Sequence, residues 1–185
     1  NDGGSVLDLV LCAEQFAAAL SASPFIGAVL GRELAGPTSE RIVASLDGHI
    51  APDALGAEKV TFVRAGHTHV TNSDSVILTA DRSRVAMTTA SSDVTSISAA
   101  DEAGFLALTQ LLLGADLVGN GIAAIQDAVS YACEREQFGV PIGGFQALQH
   151  LLADAWVDLV AARNALRSAA WKLGNETSDA HSSAA

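Results

Sequence analysis

The stretch Ser130-Tyr-Ala-Cys-Glu-Arg135-Glu-Gln-Phe-Gly139-Val-Pro-Ile-Gly-Gly-Phe145-Gln-Ala-Leu-Gln-His150-Leu-Leu-Ala-Asp154 decides the reading of this chain. It joins two long apolar segments of helical spacing, and a reversal between neighbouring helices needs only a few residues. A connection this rich in basic, aromatic and glycine residues calls for a reason beyond chain reversal, because binding residues concentrate on loops that a rigid scaffold positions.

Upstream, Phe105, Leu108, Leu112, Ala115, Leu117, Val118, Ile122, Ile125, Val129 and Ala132 recur at helical steps and predict a helix over residues 103–135. Gly114, Gly119 and Gly121 each cost that helix about 1 kcal/mol relative to Ala, which implies close packing or a neighbouring ligand, with packing favoured. Downstream, Phe145, Leu148, Leu152, Ala155, Trp156, Leu159, Ala162, Leu166, Ala169 and Ala170 predict a second helix over 145–173. Two helices joined this way lie antiparallel, as in a bundle. They cannot bury that much apolar surface alone, so further helices must come from elsewhere in the protein or from a partner.

At the other end, Ser5 is placed to cap a first helix, with Asp8 in its first turn and Val6, Leu9, Val10, Ala13, Phe16, Ala17 and Leu20 as its stripe. Ser23-Pro24 ends it, and a short second helix over 24–34 closes at Gly36-Pro37. From Glu40 to about Ser98 the pattern changes to short β-branched runs at 41–46, 59–64, 67–71, 75–78 and 84–89, with a hairpin turn at Ala65-Gly66. Four or five strands are enough to sit against helices but too few for a separate sandwich. The expected fold is mainly α with a small β subdomain, divided as 1–38, 39–100 and 101–185.

Composition limits the function classes. The 185 residues are 49% hydrophobic and 17% charged, with a formal net charge of -11, and the basic residues are scattered, which argues against nucleic acid. Asp116, Asp127, Asp154 and Asp158 interrupt the apolar stretches, so no membrane span is expected. Cys12 and Cys133 have neither metal-ligand nor disulfide spacing and read as small core residues of a reducing cytoplasm. His67 and His69 face one side of a strand without a third ligand in place, and no metal site is expected. The first residues, Asn1-Asp-Gly-Gly, carry no signal-peptide pattern, and the chain reads as an internal piece of a longer protein.

On Leu111 to Gly119, Tyr131-Ala-Cys-Glu-Arg135-Glu-Gln-Phe-Gly139, Phe145-Gln146 through Asp154, Ala162-Arg163 and Ala169-Ala-Trp171, the chain resembles the acyl-CoA dehydrogenase family. Leu7-Asp8-Leu9, Glu14, Ala18-Ala19-Leu20 and Pro24-Phe25 are similar to the end of that family's N-terminal helical domain. The resemblance implies a shortened middle β domain and part of an antiparallel four-helix bundle. It also implies FAD, an acyl-CoA substrate, a homo-oligomer or a heteromer with another such subunit, and an electron-transfer flavoprotein or similar acceptor. The family oxidises an acyl-CoA by removing the α proton with a Glu carboxylate while the β hydrogen leaves as hydride to the flavin.

Carried over position by position, the resemblance puts Arg135 against the FAD diphosphate of an adjacent subunit, with Gln137, Phe138, Phe145 and Gln146 beside it. A planar fork, a neutral amide donor and shielding rings suit a diphosphate, and the start of the following helix adds partial positive charge. Arg135 has an equally ordinary reading, as a cation near a helix C-terminus paired with Glu134 or Glu136. The chain also departs from the family. The segment from Val43 to Asp53 lacks the usual flavin-covering motif; most members keep the catalytic Glu near the end of the bundle, at a position expected beyond residue 185, and the position where others keep it is Thr109, followed by Gln110. A Thr hydroxyl is not ionised near neutral pH and cannot be the base, so no catalytic residue is assigned. A dehydrogenase, a non-catalytic partner subunit that helps bind FAD, and a cofactor-free helical interaction module all stay open.

Overall fold

The computed structural model describes residues 5–21, 23–45, 50–51, 56–78, 86–90, 94–99 and 101–183. It is mostly helical with a small sheet, and it forms two compact units, residues 1–20 with 111–185 and residues 21–110. Helices α1 (Val6–Ala18) and α2 (Phe25–Ala35), read together from sequence as the end of one helical domain, fall in different units.

The first unit is built from α1, most of α3 (Glu102–Glu134) and α4 (Gln146–Ser183). The start of α1 is the expected one: Ser5 Oγ accepts from the Asp8 N–H at 3.2 Å while Asp8 accepts from the Ser5 N–H at 2.7 Å, a reciprocal cap. Helix α1 buries Val10, Ala13, Glu14 and Ala17. Cys12 lies off that face and is exposed, as is Cys133 beside the buried Ala132, which corrects their reading as core residues.

Helices α3 and α4 pair antiparallel in a register that the glycines record. A Cβ on Gly114 would meet Leu166 and one on Gly121 would meet Leu159, each at 2.9 Å, so a heptad ascending on one helix faces a heptad descending on the other. Leu111, Leu112, Ala115 and Val118 of α3 are buried. Leu117, Leu151, Val157 and Trp171 remain 60–72% exposed, as expected of two helices that cannot cover their own apolar surface. Asp116 and Asp127 do not disqualify α3 by composition: it is long and apolar enough to cross a membrane, with 39% of its most apolar stretch buried within the protein. Helix α4 runs ten residues beyond the end expected from sequence.

The second unit holds α2 and a sheet of β1 (Ile42–Ala44), β2 (Ile50–Ala51), β3 (Lys59–Arg64), β4 (His67–Leu78), β5 (Ala86–Ala90) and β6 (Thr95–Ala99). The order is β1-β3-β4-β5-β2, with β6 on β4; β1 is parallel to β3 and the other pairs are antiparallel. Strand β4 merges the two runs expected at 67–71 and 75–78, and its register with β5 shifts between Ser73 and Val76, where a bulge lets one strand continue. Val60, Thr61 and Phe62 are consecutive and all buried, so β3 is covered on both faces rather than alternating. Helix α2 lies tight against β1, for a Cβ on Gly31 would be 2.9 Å from the Ile42 carbonyl oxygen. The segment from Val43 to Asp53, expected to lack the flavin-covering motif, falls largely on 46–49 and 52–55, outside the described residues.

The β3–β4 hairpin turns at Ala65 and Gly66, with φ of 51° and 73°. Two positive φ values suit Asn-Gly better than Ala-Gly. Ala65→Asn should therefore stabilise this unit by about 0.5 kcal/mol, read as a higher urea midpoint.

Candidate functional site

Helix α3 ends at Glu134, and the chain then makes a miniature hairpin, β7 (Glu136–Gln137) and β8 (Val140–Pro141), followed by a single 3-10 turn at Ile142–Gly144 and the start of α4. Glu136 pairs with Pro141 and Gln137 with Val140. The two residues between them, Phe138 and Gly139, have φ of 55° and 80°. Gly139 adopts this conformation without steric cost, whereas Phe138 is strained by it. Its ring is nonetheless 94% exposed. A bulky residue held left-handed and displayed to solvent points to a role outside the local packing.

The structure brings the five residues singled out from sequence into this one connection. Arg135 follows α3 directly, its N–H bonded to the Tyr131 carbonyl at 2.8 Å. Its side chain is exposed and makes no ion pair among the described residues, with Glu134 and Glu136 included. Phe138 meets Phe145 edge to face, with centroids 6.4 Å apart at 81°. Gln146 opens α4 and is exposed. Gln137 is engaged locally, donating from Nε2 to the Glu136 carbonyl at 2.8 Å, which leaves its second N–H for another acceptor.

Residues outside the turn fall into place as well. Thr109 is buried, and its hydroxyl donates to the Phe105 carbonyl at 2.8 Å, an ordinary helix back-bond. His69 stacks on Phe62 at 5.3 Å and its Nε2 contacts the Arg64 carbonyl, while His67 Nδ1 contacts the Ala65 carbonyl. No group of three His, Cys, Asp or Glu able to hold a metal occurs among the described residues. An apolar cavity of about 480 Å³ opens between α3 and α4, lined by Ile125, Val129, Leu152 and Trp156 among others.

The reading from sequence missed one cluster. Glu14 of α1 is fully buried and accepts from Arg167 Nη2 at 3.0 and 3.2 Å and from Arg163 Nη2 at 2.5 Å. Its signal was a carboxylate in the buried stripe of α1, with two arginines one helical turn apart on the apolar face of α4.

A sequence model of the acyl-CoA dehydrogenase C-terminal domain matches residues 100–185. Over that stretch, just under half of its length, the chain is similar to the acyl-CoA dehydrogenase family. It is 49% identical over 53 residues to acyl-CoA dehydrogenase IpdE2 of Mycobacterium tuberculosis, which is 29% of this chain and 17% of that protein. It is 50% identical over 60 residues to the 3-sulfinopropanoyl-CoA desulfinase of Cupriavidus necator, 31% of this chain and 15% of that one. Segments of this chain are therefore similar to proteins named for different reactions, and each match spans under a fifth of the relative. Among solved structures, the ChsE4-ChsE5 complex from Mycobacterium tuberculosis has the same fold, with a TM-score of 0.79 at 20% identity over 97% of this chain and 64% of that one.

Proposed function

We propose that the chain is part of a flavin-dependent acyl-CoA dehydrogenase, with the turn from Arg135 to Gln146 binding the FAD diphosphate. The observation that carries this reading is a guanidinium without an ion pair among the described residues, beside a strained, exposed Phe138 that lies edge-on to Phe145. The residues suit that group. Arg135 and the side-chain amides of Gln137 and Gln146 would donate to phosphate oxygens, the start of α4 would add partial positive charge, and the two rings would exclude water. When bound, FAD supplies the hydride acceptor that no side chain can provide. An exposed tip of this kind is suited to a cofactor held by a second subunit, and the uncovered Leu117, Leu151, Val157 and Trp171 support assembly with another copy or a related chain. The remaining parts of the reading are an acyl-CoA substrate, a cytoplasmic setting without membrane or nucleic acid, and reoxidation by an electron-transfer flavoprotein or similar acceptor.

Arg135→Ala in the full-length assembly should weaken FAD binding about a hundredfold, the size expected for charge-assisted hydrogen bonds. Flavin titration measures it, and an unchanged affinity removes the diphosphate assignment.

A second reading, a partner subunit that helps bind FAD without performing the chemistry, is favoured by Thr109. At the position aligned with one of the family's two base sites stands a buried hydroxyl already committed to a backbone carbonyl. An anaerobic visible spectrum of the full-length protein purified alone, before and after a mixture of acyl-CoA thioesters, separates the two. Bound flavin that bleaches identifies a self-sufficient dehydrogenase, and flavin that is absent or stays oxidised identifies a partner subunit.

A further inference from the structure

Contacts among the displayed side chains are not all that holds the turn in place. Backbone bonds do part of that work: the Ile142 N–H donates to the Arg135 carbonyl at 2.8 Å and the Phe145 N–H to the Ile142 carbonyl at 3.1 Å. Another restraint comes from α4. Gln149 reaches back from the first turns of the helix, and its Nε2–H donates to the Gly143 carbonyl at 2.7 Å. Gly143 is confined on another side by α3, because a Cβ there would stand 3.0 Å from the Ala132 carbonyl oxygen. The peptide at Gly143 is thus fixed between the end of one helix and a side chain of the next. Phe145, two residues on, carries half of the aromatic pair.

Gln149 is exposed, so packing does not account for its conformation. We propose that Gln149 is a positioning residue for the cofactor turn: its amide sets the 3-10 segment, and through it the placement of the Phe145 ring and of the α4 N-terminus that carries Gln146. The inference rests on the proposal that this turn binds the FAD diphosphate. Gln149 need not touch the cofactor. It removes freedom from a peptide that would otherwise have to be ordered on binding, and pre-organisation of that kind appears as affinity.

The test uses the full-length protein in its own assembly, stripped of flavin and titrated with FAD by fluorescence. Gln149→Met keeps the length and helix propensity of the side chain and removes the donor. FAD affinity should fall about fivefold to tenfold, the scale of one neutral hydrogen bond, and amide exchange at Phe145 and Gln146 should accelerate. The melting temperature of the flavin-free protein should hold, since the residue buries little. Affinity lost only in step with melting temperature would make the residue merely structural and overturn the proposal. Arg135→Ala is measured in parallel. If it weakens FAD and Gln149→Met does not, the positioning role is overturned while the reading of the turn stands; if neither variant changes FAD binding, both fall.

Discussion

Glu14→Gln should destabilise the helical unit of α1, α3 and α4 by about 3 kcal/mol, because it leaves two guanidiniums held around a neutral amide. Glu14 is completely buried, whereas Arg163 and Arg167 are about a third exposed, with side-chain accessibilities of 32% and 33%. The carboxylate therefore cannot regain water without α1 moving, but the arginines keep some. That places the expected loss at the lower end of what breaking a buried pair costs. For a chain of this size it corresponds to a fall of roughly 6–12 °C in melting temperature. Thermal and urea unfolding measure it, and a loss under about 0.5 kcal/mol would mean that the pair behaves as a solvated surface contact.

The intact cluster is not for that reason a large source of stability. Arg163 Nε and Arg167 Nε are buried without a hydrogen-bond partner, so part of the desolvation cost is not recovered. The triple variant Glu14→Leu, Arg163→Met, Arg167→Met should accordingly regain most of what Glu14→Gln loses, even though it deletes every ion pair in the cluster. What the charges contribute is placement: they fix which residue of α1 meets which turn of α4.

The parts of the fold legible in sequence were those where a local rule and the tertiary environment agree. The Ser5 cap, the Ala65-Gly66 turn, β3 at Lys59–Arg64 and the boundaries of α3 follow from spacing and turn chemistry alone. Strand β6 did not, because Thr-Ser-Ile-Ser-Ala offers small polar residues where strand signals call for larger ones, and its formation depends on an open edge of β4. The merging of two runs into β4 was hidden by Asn72-Ser-Asp74, which reads as a turn but is carried through by a register shift. At the candidate site, residue types and order identified the connection, but the strain at Phe138, its contact with Phe145 and the Gln149 restraint depend on three-dimensional closure of the turn. Glu14 was passed over because its partners lie some 150 residues away, beyond the reach of any periodicity argument.

Gly119→Ala and Gly121→Ala, two residues apart on the same helix, should have opposite consequences. Both substitutions gain about 1 kcal/mol of helix propensity. At Gly121 the added methyl meets only the tip of Leu159, 2.9 Å from Cδ1, and a flexible side chain can rotate away, so stability should be unchanged or slightly raised. At Gly119 the methyl would run into the Glu14 carbonyl oxygen and stand 2.8 Å from Ala17 Cβ and 3.0 Å from the Ala18 N. Those are the backbone and buried face of α1, and relief requires the whole helix to shift. Such a shift also pulls Glu14 from Arg163 and Arg167, so overpacking and loss of the ion cluster act together. Gly119→Ala should therefore cost about 2–3 kcal/mol net of its propensity gain, measured by urea unfolding. Combining it with Glu14→Gln should give less than the sum of the two, because a displaced α1 has already given up the contact that the second substitution removes. Strict additivity would instead mean that α1 absorbs the methyl by local bending, with Glu14 still seated between its arginines.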